Sequence, residues 1–287
     1  MQYRSFQDMN NNIIKNLTKF VVKNVDLVVG IPRSGMLPAN LIAMYLNKPF
    51  TDINSFLEGK IYSGGNRFNG NDRSKLSERP TIEGVKNVLI VDDSIGYGVQ
   101  LGKTKQQLKP VLDKYNFTFA AIFARSQSKN MVDIYCEVVD GERVFEWNIF
   151  HQKWVLMNSC MDIDGVICKN PKIDDDGEQY LKEIKFAQPL FIPSVKVKTL
   201  ISCRLEKYRK ETEEWLALFN VKYDNLIMLN LPNKEARQKW NKHGEYKAAE
   251  YKKSGYAFFI ESSLQEAKTI KAITGKPVFC TEIMNLV

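Results

Sequence analysis

Histidine is nearly absent from this chain, with two among 287 residues, and the five cysteines (Cys136, Cys160, Cys168, Cys203, Cys280) form no CxxC pair. Structural zinc is thereby disfavoured, and the expectation is a cytoplasmic protein with reduced thiols, Cys160 and Cys168 being packed in the interior. There is no internal repeat, no low-complexity tract and no basic tail. Up to Phe150, 19 basic residues face 15 acidic ones, and beyond it 22 face 18, so the net charge of +8 is spread evenly. Nucleic acid is not favoured as a partner, whereas a modest positive field suits polyphosphates or anionic surfaces. The first 17 residues are polar, with apolar residues at helical spacing, and read as neither a signal peptide nor a membrane span. What remains is a globular composition, 44% hydrophobic and 26% charged, long enough for two domains.

The periodicity predicts an amphipathic helix over 5–22, with Phe6, Met9, Ile13, Ile14, Leu17 and Phe20 on one side. A short strand over 26–30 runs into Ile31-Pro32-Arg33-Ser34-Gly35, and a helix over 37–46 follows. Residues 54–80 are rich in Gly, Asn, Ser and Arg and read as a long functional or disordered loop. Beyond a strand from Val88 come a helix over 102–115 and strands over 117–124 and 133–139. A second series begins near Trp154 with a strand at 155–157, then strands over 197–202, 225–229 and 257–260 and helices over 204–219, 245–254 and 263–274. Alternating strands and helices predict α/β architecture, divided into domains 1–153 and 154–287.

The richest stretch is Val88-Leu89-Ile90-Val91-Asp92-Asp93-Ser94-Ile95-Gly96-Tyr97-Gly98. Its apolar run reads as a strand buried on both faces. Two adjacent carboxylates at its end repel each other and lose hydration, so they need a reason to be there. A polyhydroxyl, phosphate-bearing ligand is one: carboxylates accept from sugar hydroxyls, and glycines expose backbone N–H groups to phosphate. A buried strand capped by a tight turn is the plain alternative. The run resembles the phosphoribosyl-pyrophosphate (PRPP) motif of type I phosphoribosyltransferases. The resemblance implies that Asp92 and Asp93 hold the ribose 2- and 3-hydroxyls and that Ser94, Gly96, Tyr97 and Gly98 wrap the 5-phosphate. Gly96 and Val99 stand where that family has threonines, so backbone amides are expected to hold the phosphate.

In the same family a loop after an early strand binds the pyrophosphate, and here Arg33, Ser34 and Gly35 occupy that place, with a strained peptide implied. Lys60, Arg67, Arg73 and Lys75 in the 54–80 loop are then lid candidates that could cover the pyrophosphate. The implied chemistry is displacement of pyrophosphate at C1 of ribose, with Mg2+ carried largely by ligand oxygens and water.

Met161-Asp162-Ile163-Asp164-Gly165-Val166 places two carboxylates two residues apart at a strand end, which lets one attack phosphorus while the other moves protons. This resembles motif one of the haloacid-dehalogenase (HAD) superfamily. The resemblance extends to Ser202 in Thr199-Leu200-Ile201-Ser202-Cys203-Arg204 as a phosphoryl-binding hydroxyl, and to Lys247 as the charge-offsetting lysine, with Lys252 and Lys253 as competitors. Glu261 would complete a magnesium shell with Asp162 and Asp164, although Ser262 stands where an aspartate is common. Forty residues between Asp162 and Ser202 leave room for a minimal cap only. Asp174, Asp175 and Asp176 read as a solvated loop.

The fold class expected is therefore α/β with two domains: a type I phosphoribosyltransferase-like parallel sheet, then a Rossmann-like HAD domain. The pairing resembles the bifunctional ribofuranosyl-transfer proteins of bacterial polysaccharide biosynthesis. It implies transfer of 5-phosphoribosyl from PRPP to a glycan or lipid-linked glycan acceptor, followed by removal of the 5-phosphate. Nucleobase salvage with a nucleotide 5-phosphatase is the alternative enzyme, with Phe145, Trp147, Phe150 and Trp154 as base-stacking or core residues. A PRPP-sensing regulator is the non-enzymatic alternative. Oligomeric state stays open, a homodimer included.

Overall fold

Ser5 follows a short strand, β1 (Gln2–Arg4), and starts the first helix, α1 (Phe6–Lys15), through a capping box with Asp8. The computed structural model describes residues 1–62, 81–173 and 177–287. The helix expected over 5–22 is broken at Asn16, whose side-chain amide donates to the Asn12 carbonyl at 2.8 Å, and α2 (Leu17–Val21) resumes beyond it. An asparagine bonding back onto the preceding turn competes with continuation of the helix.

Next come β2 (Leu27–Gly30), α3 (Met36–Leu46), β3 (Phe50–Asp52), α4 (Ile53–Leu57), β4 (Asn87–Ile95), α5 (Val99–Leu108), β5 (Asn116–Ala124) and β6 (Ile134–Val138). They form a five-stranded, all-parallel sheet in the order β3-β2-β4-β5-β6. The apolar run of β4 is buried along Val88–Val91, as expected of a central parallel strand. The chain winds outward from β2 to β3 and then returns to place β4 on the other side of β2. A crevice at the carboxyl ends of β2 and β4 is the consequence of that reversal.

The remaining elements are β7 (Arg143–Phe145), α6 (Lys153–Leu156), β8 (Ser159–Met161), α7 (Glu178–Lys185), β9 (Val197–Leu205), α8 (Arg209–Leu218), β10 (Tyr223–Leu229), α9 (Lys234–Trp240), α10 (His243–Ser254), β11 (Phe258–Glu261), α11 (Leu264–Thr274), β12 (Val278–Cys280) and β13 (Asn285–Leu286). The order of their sheet is β10-β9-β8-β11-β12-β13, parallel except for β13. Met161, Leu200, Ile260 and Phe279 enter one hydrophobic core, and Cys160, Ile201, Phe259 and Cys280 enter another. That alternation is the period of a sheet buried on both faces. The reversal of strand order here lies between β8 and β11. Among the described residues, α7 is the one helix between β8 and β9.

Two expectations change in this half. Residues 153–156 form a helical turn and the strand follows at Ser159–Met161, because Val155 and Leu156 bury from a turn that Asn158 closes by donating to the Trp154 carbonyl. The strand expected over 197–202 runs on to Leu205, so its helix begins at Arg209 instead of 204. Arg204 stays in the strand because its guanidinium is buried against Asp164.

The chain forms two compact units, one of Gln2 and Arg4–Arg143, the other of Met1, Tyr3 and Val144–Val287. They part between Arg143 and Val144, upstream of the 153/154 division read from the sequence. Val144, Ile149 and Phe150 are buried in the core of the second unit, and Tyr3 joins that core, its hydroxyl donating to the Met284 carbonyl at 2.8 Å.

Candidate functional site

The first candidate site forms where the loop after β2 folds onto the end of β4. The Ile31 amide donates to the Val91 carbonyl at 2.9 Å, and the Ser34 hydroxyl donates to Asp93 at 2.9 Å. Gly35 makes this approach feasible: a Cβ there would stand 2.6 Å from the Ile31 oxygen, 2.8 Å from the Val91 oxygen and 3.0 Å from the Asp92 Cα. The Pro32–Arg33 peptide bond is cis. Ser34 thus meets Asp93 and Gly35 abuts the backbone of Asp92, with Arg33 preceding them in the same loop.

β4 continues past its acidic pair to Ile95, so Asp92 and Asp93 are strand residues on opposite faces. Burial first, and then the charge of Asp93, push the Asp92 carboxyl from an ordinary 3.8 to about 8. Asp92, Ser94, Gly96, Tyr97 and Gly98 share a cavity of about 240 Å³ with Ile31 and Phe119, while Arg33, Ser34, Gly35 and Asp93 lie outside its lining. Gly98 has φ +77° and leads into α5, whose first turn has no side-chain cap. Its first backbone amides are thereby left for an acceptor from elsewhere.

Of the expected lid residues, Lys60 is exposed and pairs with Glu58 at 2.6 Å. Arg67, Arg73 and Lys75 lie outside the described residues, as do residues 174–176. Of the aromatic group, Phe145 and Phe150 are buried and Trp147 and Trp154 half-buried: Phe145 stacks on Trp147 at 4.8 Å, Phe150 stacks on Phe191 at 4.6 Å, and Trp154 packs against the core that holds Phe150.

The second candidate site lies at the carboxyl ends of β8, β9 and β11. Asp162, Asp164, Arg204, Lys247, Glu261 and Glu266 line one cavity of about 320 Å³. Lys247, reaching in from α10, donates to Asp162 at 2.7 Å, Glu261 at 2.8 Å and Glu266 at 2.7 Å. Burial works against its charge, but the surrounding carboxylates prevail and hold the ammonium well above its usual range. Burial pushes the Asp162 carboxyl up, opposed by Lys247. Lys253 is exposed and pairs with Glu250, and Lys252 is exposed, so Lys247 is the lysine that enters the cavity.

Ser202 is fully buried and its hydroxyl accepts from the Arg204 amide at 3.1 Å; Cys203 lines the cavity in its place. Arg204 was not singled out in the sequence. Its guanidinium, 1% exposed, donates from Nε and Nη2 to the two oxygens of Asp164 at 2.9 and 2.7 Å. An arginine two residues past a strand-end hydroxyl was visible, but the forty-residue span to Asp164 hid its partner.

Asp162, Asp164 and Glu261 offer the hard oxygens magnesium takes, yet as placed they do not fit one ion. Lys247 stands between Asp162 and Glu261, and Arg204 engages both oxygens of Asp164. Among the described residues no three His, Cys, Asp or Glu side chains are grouped to hold a metal. No helix among them is long and apolar enough to cross a membrane.

No curated protein matches the chain. Among solved structures it is similar to the purine phosphoribosyltransferase from Pyrococcus horikoshii Ot3, at 19% identity and TM-score 0.37 over 51% of this chain and 92% of that one. It is also similar to the xanthine-guanine-hypoxanthine phosphoribosyltransferase of Helicobacter pylori, at 15% and 0.38 over 52% and 93%. A chain in the Pnkp1/Rnl/Hen1 RNA repair complex is similar over 97% of this chain and 94% of that one, at 11% and 0.31. At such scores these likenesses carry no argument. The family comparison does carry one: residues 4–155, more than half of the chain, match the phosphoribosyl transferase domain, and they contain the whole crevice between β2 and β4. The chain belongs to the phosphoribosyl transferase domain family, and its enzymatic class is phosphoribosyl transfer.

Proposed function

We propose that the first unit transfers 5-phosphoribosyl from PRPP to a hydroxyl of a glycan or lipid-linked glycan, and that the second unit, of HAD type, then removes the 5-phosphate. The observation that carries the reading is the convergence of Asp162, Asp164, Lys247 and Glu261 on one cavity in a chain that already belongs to a phosphoribosyl transfer family. The product of the first reaction is a phosphomonoester, and the second cavity holds groups suited to cleaving one.

In the first step the C1–O bond to pyrophosphate breaks, and the leaving group takes the electron pair. A bond from C1 to the acceptor oxygen forms as the acceptor loses its hydroxyl proton. Arg33, Ser34 and the loop amides bind the departing pyrophosphate, and Asp92 and Asp93 accept from the ribose hydroxyls. In the second step Asp162 attacks phosphorus, the P–O5 bond breaks, and the sugar oxygen takes its proton from water, because both oxygens of Asp164 accept from Arg204. Water then hydrolyses the aspartyl-phosphate to release phosphate. Lys247 offsets the charge that builds on Asp162, and Arg204 fixes the orientation of Asp164.

The deciding experiment incubates the Asp162→Asn protein with magnesium PRPP and glycan acceptors. Accumulation of phosphoribosylated glycan is expected, with the wild type giving the ribosylated glycan plus inorganic phosphate. Absence of both products from every glycan overturns the acceptor assignment, and pyrophosphate release with a free nucleobase would establish salvage in its place.

A further inference from the structure

The turn after β4 is poor in side-chain donors. Glycine and valine at 96 and 99 leave Ser94 with the one hydroxyl between Asp93 and Tyr97. Two guanidinium groups from distant parts of the chain come to the same turn. Arg143, at the start of β7, is 9% exposed; its Nη1 donates to the Ile95 carbonyl at 3.2 Å, and its Nη2 lies 3.2 Å from where a Cβ on Gly96 would stand. Arg125, just past β5, donates its backbone N–H to the same Ile95 carbonyl at 3.3 Å. Its guanidinium lies 5.6 Å from the centroid of the Tyr97 ring, and its buried Nε has no hydrogen-bond partner.

Two arginines this close disfavour each other. Burial first, and then Arg125, hold Arg143 below the usual guanidinium range, with Asp93 and Asp140 opposing. Both acids have other partners: Asp93 accepts from Ser34 at 2.9 Å, and Asp140 accepts from the Ser126 amide at 2.9 Å. The buried Nε of Arg125 is left without an acceptor, and a buried guanidinium donor is costly until an anion takes it. Gly96 leaves the approach open, since a side chain there would meet Nη2.

We propose that Arg125 and Arg143 bind the 5-phosphate of the donor, supplying charged donors where Gly96 and Val99 bring no hydroxyl. The proposal rests on the reading of the first site as a PRPP site. A phosphomonoester dianion is matched by two planar forks better than by hydroxyl donors, and the charge compensates for the residues at 96 and 99.

The test is calorimetric titration of the full chain with ribose 5-phosphate and, separately, with pyrophosphate. Wild type is compared with Arg125→Gln, Arg143→Gln and Arg143→Lys, each checked for an unchanged melting curve. Losing charge-assisted hydrogen bonds is expected to weaken ribose 5-phosphate binding roughly ten- to hundred-fold in each Gln variant. Pyrophosphate affinity is expected to stay within about two-fold, because Arg33, Ser34 and Gly35, the residues assigned to it, are left unchanged. Arg143→Lys should recover part of the loss, and in turnover KM for PRPP should rise with little change in kcat. Variants that bind ribose 5-phosphate as tightly as wild type overturn the proposal, and so do variants that lose both ligands equally. Should Arg143→Gln fail to fold, Arg125→Gln alone decides by the same readings. If the wild type binds neither ribose 5-phosphate nor PRPP, the PRPP reading itself fails; if it binds both and the variants do too, only the role of the arginines fails.

Discussion

Asp92 is costly to keep where it is. Its carboxyl ionises near pH 8 in the folded chain and near 4 in the unfolded one. Between those values the unfolded state has released a proton that the folded state retains, so the contribution of Asp92 to stability is full below about pH 4 and is lost as pH rises to about 8. Asp92→Asn is therefore expected to raise the urea midpoint over wild type by more at pH 8 than at pH 5, while phosphoribosyl transfer falls at least about 100-fold for want of the ribose acceptor. An equal gain at both pH values would disprove the account. Lys247 is the opposite case, a buried cation paired with three acids. Lys247→Met strands those carboxylates and should cost about 3–5 kcal/mol in urea unfolding at pH 7. Asp92, Asp93 and Lys247 were legible because each belongs to a local pattern. Arg125, Arg143 and Arg204 were not, because each acts on a partner that only folding brings near.

At the scale of elements, the loop after β2 lies against β4 with no space for a methyl group. Gly35 has φ −65°, so the requirement for glycine there is closeness and not backbone conformation. All three atoms that its Cβ would meet are backbone atoms, which cannot rotate away. Gly35→Ala is expected to cost about 1–3 kcal/mol of stability. It should also reduce transfer from PRPP more than it reduces release of phosphate from a simple phosphomonoester, as paired initial-rate assays would record. Strand periods were readable for β4, β9 and β11, where apolar runs are long. The ends were not: β9 passes its expected limit because Arg204 has a buried acid to meet, and the first helix stops early at a side chain that bonds its own backbone.

At the scale of the whole molecule, each candidate site draws its residues from one of the two units. Substitutions at the two sites should therefore act independently. Asp162→Asn is expected to keep pyrophosphate release from PRPP within about two-fold of wild type, and Asp92→Asn to keep phosphomonoester hydrolysis within the same bound. Cross-effects of ten-fold would mean that the sites are coupled. The sequence alone determined the α/β order of elements, the acidic strand with its glycine turn, and the Asp162 and Asp164 pair, because apolar period and turn composition are local properties. Only the tertiary structure decided that the chain parts at Arg143, that Lys247 rather than Lys252 or Lys253 faces Asp162, and that two arginines stand at the turn after β4. Those outcomes depend on which strands lie side by side and what the core has room to bury, and neither is written in the spacing of residues along the chain.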